Sequence, residues 1–146
     1  MNDTAAYLHR PVRLVSTGPL LIPELGTVRA GFPSPAEDLG AKRIDLAEKL
    51  IRNPQATFYW RARGHAMREL GIADGDLLVV DKAVRAQHGH IVIAETEGEY
   101  VCRKLVYTGQ RATLRAGDPS LHPDITPSEG GVWGVVTYCI KRLPQG

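Results

Sequence analysis

Residues 63–76 have the types and spacing that best fit a chemical site. The β-branched and aromatic residues of the stretch 57–62 predict a strand that leads into Gly64, and we expect a short helical turn from near Ala66 to Gly71. A strand that delivers the chain through a glycine onto a helix start commonly presents one reactive side chain. Residue 66 would be presented here, but it is an alanine, whose methyl group can neither attack a carbonyl nor transfer a proton.

The remaining histidines and cysteines predict no metal site. His65, His88 and His90 lie in different predicted elements and are not at ligand spacing. Cys102 and Cys139 both fall inside predicted strands, which indicates two buried, reduced thiols. We therefore expect neither a metal nor a cofactor.

The composition indicates one cytoplasmic domain. The chain has 146 residues and a formal net charge of +2, and no run of like charges forms a basic stripe. Its apolar runs are far shorter than the roughly 18 residues that a membrane span needs. Residues 1–10 lack the basic start and apolar core of a signal peptide. We expect no membrane association and no direct sequence-specific DNA binding.

The predicted elements are nearly all strands. Short apolar or alternating runs recur at spacings of about ten residues, which is typical of a β-sandwich or barrel. The predicted strands are 57–62, 77–81, 91–95, 100–107, 111–115 and 132–142, with a hairpin turn at 96–98. One short helix is expected over 46–52, with Asp45 as its N-cap.

The first part of the chain predicts an extended arm. Residues 1–35 contain five prolines and three glycines, and no helical periodicity survives there. We therefore divide the chain into an arm, residues 1–31, and a β-rich body, residues 32–146.

Several motifs, in order and at matching spacings, resemble the self-cleaving serine peptidases of the LexA/UmuD family, and above all its UmuD-like members. The resemblance covers residues from about 30 to about 141. Its motifs are Ala30-Gly31-Phe32-Pro33-Ser34-Pro35, Arg43-Ile44-Asp45-Leu46, Gly64-His65-Ala66-Met67, Gly71-Ile72-Ala73-Asp74-Gly75-Asp76, His88-Gly89-His90-Ile91-Val92-Ile93-Ala94, Gly98-Glu99-Tyr100 and Trp133-Gly134-Val135-Val136. The resemblance implies a mostly β fold, with a curved sandwich-like or barrel-like peptidase body, one short helix and an N-terminal arm.

The resemblance also implies a Ser-Lys dyad, and both of its positions differ here. Family members have serine where this chain has Ala66. Their general base, a lysine whose pKa is lowered by burial, aligns with Arg103. A guanidinium stays protonated to beyond about pH 12, so Arg103 cannot act as a base. Lys104 is the weaker candidate, because alternation along a strand should point it away from Arg103 and from residue 66.

The other parts of the implied site are present in the sequence. Gly64, His65 and Met67 flank residue 66 and correspond to the substrate and oxyanion neighbourhood of the family. The small pair Ala30-Gly31 corresponds to the scissile bond. Without the dyad, we expect this chain to remain uncleaved.

The function implied is that of an accessory subunit of an error-prone translesion DNA polymerase in the SOS response. The implied partners are a second copy in a homodimer, the catalytic subunit of the polymerase, the activated RecA filament that stimulates cleavage, and the replication clamp. Two alternatives stay open. The chain is either an active self-processing peptidase in which Ala66 was engineered in place of serine, or a naturally inactive module that dimerises with active relatives and blocks mutagenesis.

Overall fold

The computed structural model describes residues 11–13, 21–28, 42–128 and 131–145. Its contacts divide the chain into two compact units, one of Met1–Leu14 with Asn53–Gly146 and the other of Val15–Arg52. No described helix is long and apolar enough to cross a membrane.

The larger unit is built on one seven-stranded antiparallel sheet with the order β1-β4-β5-β9-β6-β7-β8. Its strands are β1 (Val12–Arg13), β4 (Thr57–Arg61), β5 (Leu77–Asp81), β6 (Ile91–Thr96), β7 (Glu99–Thr108), β8 (Arg111–Arg115) and β9 (Val132–Ile140), joined by short 3₁₀ turns at Pro54–Ala56 and Arg68–Leu70. The mostly β fold class is confirmed. In the part of the chain that the structure describes, the sheet does not close into a barrel, because β1 and β8 are its two edges.

The smaller unit contains a two-stranded sheet, β2 (Leu21–Glu24) paired with β3 (Lys42–Asp45), followed by helix α1 (Leu46–Leu50). Asp45 caps the helix as predicted, since its Oδ1 accepts the N–H groups of Ala47 and Glu48. The helix ends two residues earlier than expected, and Ile51 is already extended.

Part of the predicted arm forms strands. Val12 and Arg13 pair with β4, and β2 pairs with β3. The expected boundary between residues 31 and 32 and the bond Ala30-Gly31 both lie outside the described residues, so the division into arm and body stays a prediction.

Local sequence explains the hairpin between β6 and β7. Glu97 and Gly98 both have positive φ, +50° and +79°, as a two-residue type I′ turn requires. The turn sets the register of Thr96 opposite Glu99, and pairing then runs without interruption to Ile91 opposite Lys104. The turn therefore fixes which face of β7 each side chain occupies.

Two clusters of buried side chains form the core. The first cluster includes residue 66 and comprises Trp60, Ala62, Ala66, Met67, Ile72, Leu78, Val80, Ile93, Cys102 and Ala116. The second comprises Val92, Ala94, Val101, Leu105, Leu114 and Val135. Since β6 and β7 contribute residues to both clusters, both of their faces are covered in the middle of the sheet.

Candidate active site

The segment that carries residue 66 leaves β4 and returns as β5, and its two ends are tied together. The N–H of Ala62 donates to the carbonyl of Asp76 at 2.8 Å, and the N–H of Gly75 donates to the carbonyl of Ala62 at 2.8 Å. The Arg61 guanidinium donates to the Gly75 carbonyl at 2.9 Å. Residues 63–74 therefore form a loop whose base continues the β4–β5 ladder.

Asp74 fastens the entrance of this loop. Its Oδ1 accepts the N–H of Gly64 at 2.6 Å. Gly64 has φ +90° and Gly75 has φ +89°, values that favour glycine. The side chain of Asp74 thus holds in place the glycine that the sequence singled out as the approach to residue 66.

Asp76 fastens the exit of the loop to the end of β9. Its carboxylate is only 7% exposed, and Oδ2 accepts from the N–H of Ala73 at 2.7 Å, from the Cys139 thiol at 3.2 Å and from the Lys141 ammonium. Burial alone would raise the pKa of Asp76, but the bonds from Lys141, Ala73 and Cys139 together outweigh it and hold the pKa below its usual value. Asp76 is therefore ionised and bonded at neutral pH.

The lowered pKa of Asp76 gives a pH-dependent contribution to stability. A carboxylate with a depressed pKa in the folded state stabilises the fold above its unfolded pKa, and the contribution is lost as pH falls through the folded value. We expect Asp76→Asn to lower the free energy of unfolding at pH 7 by roughly 1–3 kcal/mol. The difference from the natural chain should be constant down to about pH 5 and shrink below about pH 4, near the ordinary pKa of aspartate. Urea unfolding at a series of pH values measures it.

Lys141→Gln is the matched control, because it leaves the bonds from Ala73 and Cys139 to Asp76 in place. It should show a smaller loss with the same pH dependence. A loss in Asp76→Asn that persists unchanged below pH 3 would contradict the assignment.

Residue 66 itself is completely buried. Ala66 is 0% exposed, and its carbonyl accepts the N–H of Gly117 at 2.7 Å. The carbonyl of Met67 accepts the N–H groups of Leu70 and Ile72 at 3.0 and 3.2 Å. The predicted helical turn is the 3₁₀ helix Arg68–Leu70, which begins two residues later than expected. Gly71 follows it as the C-cap, with φ +91°, and stops the helix as predicted. Backbone bonds thus fix the peptide on the carbonyl side of residue 66.

The strand that carries the second dyad position is β7. Arg103 is 3% exposed, and its Nη1 donates to the carbonyl of Cys102 at 2.9 Å, whereas Lys104 is half-buried. The uninterrupted pairing with β6 places these two side chains on opposite faces of the strand. Arg103 shares the face of Val101 and Leu105, which pack in the second core cluster, whereas Lys104 shares the face of Cys102, which packs in the first cluster with Ala66. The expectation that Lys104 points away from residue 66 is therefore not supported. Their assignment as the base position and as the weaker candidate stays a prediction.

The chain that leaves β8 connects the two halves of the candidate site. Lys104 pairs with Arg115, and Gly117, two residues further on, bonds the carbonyl of Ala66. The structure therefore brings residue 66 and the strand of Arg103 to the same end of β8.

Burial also raises the pKa values of the two thiols, although only Cys102 is buried as predicted and Cys139 is half-buried. Burial raises the pKa of Cys102 to about 12, against a smaller lowering by Arg103. Burial, followed by the hydrogen bond to Asp76, raises the pKa of Cys139 to about 11. Both cysteines are free, and both thiols are protonated at neutral pH, so neither has the thiolate that a nucleophile needs.

Of the other predicted site residues, Met67 is buried, Gly64 is half-buried and His65 is exposed. Gly117, Cys139 and Lys141 were not predicted. They lie far from residue 66 in the sequence, and only tertiary packing brings them to the loop.

Comparison with known proteins identifies the family of the chain. A family model described as Peptidase S24-like matches residues 23–137. Protein ImpA of Salmonella typhimurium is 42% identical over 117 residues, covering 80% of this chain and 81% of ImpA. Protein SamA of Salmonella typhimurium strain LT2 is 45% identical over 113 residues, with 77% and 79% coverage, and protein MucA of Escherichia coli is 34% identical over 122 residues, with 82% and 84% coverage. The chain therefore belongs to the S24-like peptidase family, and it is a UmuD-like member of that family.

Proposed function

We propose that the protein is an accessory subunit of an error-prone translesion DNA polymerase in the SOS response, held in its uncleaved form. One observation supports the proposal: Ala66, which aligns with the serine of the family motif, is 0% exposed in a loop that backbone bonds and the Asp74 carboxylate hold in place. An alanine at that position supplies no nucleophile. Such a chain is suited to binding rather than to cutting.

Arg103 supports the same proposal. A buried guanidinium that donates to a backbone carbonyl is a permanent cation, and it offers no lone pair to take a proton from a nucleophile. The switch that in active relatives follows RecA-stimulated cleavage, at the position of Ala30-Gly31, would then be absent or would need a partner subunit with an intact dyad.

The proposed partners are a second copy or a relative in a cytoplasmic dimer, the catalytic subunit of the polymerase, the activated RecA filament and the replication clamp. Binding of the polymerase can be measured without any cleavage. We expect the full chain to copurify with the polymerase catalytic subunit, and to stay intact when incubated with activated RecA filament. Failure to bind the subunit, before or after dimerisation with an active relative, would contradict the accessory role.

The double loss at Ala66 and Arg103 also favours a second candidate, an inhibitory dimerisation module. The two candidates differ when an active UmuD-like relative is co-expressed and ultraviolet-induced mutation frequency is measured. An accessory subunit cut in trans should maintain or raise the frequency. An inhibitory module should lower it as its expression rises, and Ala66→Ser with Arg103→Lys should remove the inhibition.

A further inference from the structure

The loop that carries residue 66 is in close backbone contact with the segment after β8. Besides the bond from the N–H of Gly117 to the carbonyl of Ala66, Gly117 lies against Glu69. A Cβ on Gly117 would stand 2.5 Å from Oε1, 3.1 Å from Cβ and 3.2 Å from the backbone nitrogen of Glu69. The approach is therefore tight: a side chain at position 117 would force the Glu69 carboxylate to move and the two segments to separate by a few tenths of an ångström.

The segment that presents Gly117 is closed at both ends. At its base, Leu114 and Ile125 form two backbone hydrogen bonds of 2.8 and 2.9 Å. The Arg115 guanidinium donates two hydrogen bonds to the Asp124 carboxylate, at 3.2 and 3.0 Å. At its tip, further bonds fold the chain back on Asp118. Its Oδ1 accepts the N–H and hydroxyl of Ser120 at 2.9 and 2.6 Å, and its carbonyl accepts the N–H groups of Leu121 and His122 at 3.1 and 3.0 Å. We call residues 116–125 the brace.

We infer that the brace positions the side chain of residue 66, and that Gly117 is its positioning residue. A hydrogen bond to the carbonyl of residue 66 fixes the plane of the peptide that follows it. This fixes the direction in which the side chain of residue 66 leaves the backbone relative to β8. Because β8 pairs with β7, it also fixes that direction relative to the strand of Arg103. The inference rests on the proposed function for its catalytic meaning, since it concerns the same site, but the physical restraint exists in the chain as it stands.

The restraint is tested first in the chain with Ala66 and Arg103 in place, by hydrogen exchange of the amides of residues 66–73. We expect Gly117→Ala to speed their exchange tenfold or more, because the added methyl pushes the brace from Glu69 and weakens the bond to Ala66. Adding Glu69→Ala removes the carboxylate that stands 2.5 Å from the new methyl and should restore most of the protection. Glu69→Ala alone is the control and should change little. Unchanged protection in Gly117→Ala would overturn the inference, whatever the fate of the proposed function.

The positioning role is tested in a chain that carries Ala66→Ser with Arg103→Lys. There we expect Gly117→Ala to lower the rate of self-cleavage by roughly 10²-fold, as small misplacements of reacting groups do. Glu69→Ala should recover at least tenfold of that loss, with the midpoint of thermal unfolding nearly constant. A rate that does not change, or that falls only in proportion to unfolding and is not rescued, would show that the brace is merely structural. If the parent does not cleave, the proposed dyad has failed, and the exchange experiment alone decides on the brace.

Discussion

A chain that carries Ala66→Ser combined with Arg103→Lys should cut itself between Ala30 and Gly31. Neither single substitution should do so. A serine without a base remains a weak nucleophile, and a lysine without a serine has nothing to activate. The measurement is the mass of the fragments 1–30 and 31–146, after incubation at alkaline pH or with activated RecA filament.

The expected effect is large, since general-base assistance alone contributes about 10²–10⁴-fold. Position 103 favours a neutral lysine, because it is 3% exposed and burial disfavours an ammonium. The cleavage rate of the double variant should therefore rise with pH and level off below the ordinary lysine pKa of about 10.4. Ala66→Ser alone should show no such rise, because Arg103 stays protonated throughout that range.

Lys104 provides the internal control for the base assignment. It lies on the opposite face of β7 from Arg103, so the two candidates can be separated: if position 103 carries the base, adding Lys104→Ala to the double variant should leave cleavage intact. Cleavage by Ala66→Ser alone, abolished by Lys104→Ala, would show instead that Lys104 is the base. Cleavage by a chain that carries Ala66→Ser and keeps Arg103, with or without Lys104→Ala, would contradict the assignment of the base to position 103.

Most of the sheet could be predicted, because its strands carry local signals. The first four residues of β5, 77–80, form a continuous apolar run, and the strand is buried in the middle of the sheet between β4 and β9. Arg111–Arg115 alternates, and it is the edge strand β8. The hairpin at Glu97-Gly98 follows from turn chemistry.

Element ends were less predictable. The last strand was expected to reach Arg142 but ends at Ile140, and the next residue, Lys141, bonds Asp76, which is distant in sequence. The helix was expected to reach Arg52 but ends at Leu50, because Ile51 is already extended. The contact of Lys141 with Asp76 has no local pattern.

The candidate site divides in the same way. The family motif locates residue 66, its flanking glycine and the two aspartates of the loop. It does not contain Gly117, which lies far from residue 66 in the sequence and donates its N–H to the carbonyl of that residue. Backbone approach between distant segments follows no side-chain periodicity, and only a glycine within a loop hints at it.

Trp60→Ala should have the largest effect on stability, a loss of about 3–5 kcal/mol in the free energy of unfolding. Trp60 is 1% exposed in the first core cluster, with its ring 5.0 Å from Tyr100 and 5.4 Å from Trp133, centroid to centroid. Truncation leaves a cavity between these rings and removes both aromatic contacts. Denaturant unfolding monitored by circular dichroism measures the loss.

Trp60→Phe separates the contribution of the indole N–H from that of the aromatic ring. The indole Nε1 is buried, and no hydrogen-bond acceptor for it lies among the residues that the structure describes. A buried donor without an acceptor costs about 1–3 kcal/mol, so removing it should offset much of the lost ring volume. We therefore expect Trp60→Phe to cost less than about 1.5 kcal/mol, in the range of a tolerated apolar exchange.

Trp133→Ala serves as the matched control within the same group of rings. Trp133 is only half-buried and has Lys82 Nζ 4.6 Å from its ring centroid, so its truncation should cost clearly less than that of Trp60. A loss in Trp60→Phe as large as in Trp60→Ala would mean that the indole N–H makes a strong bond in solution. In that case the aromatic group would be held together by a polar contact rather than by ring packing.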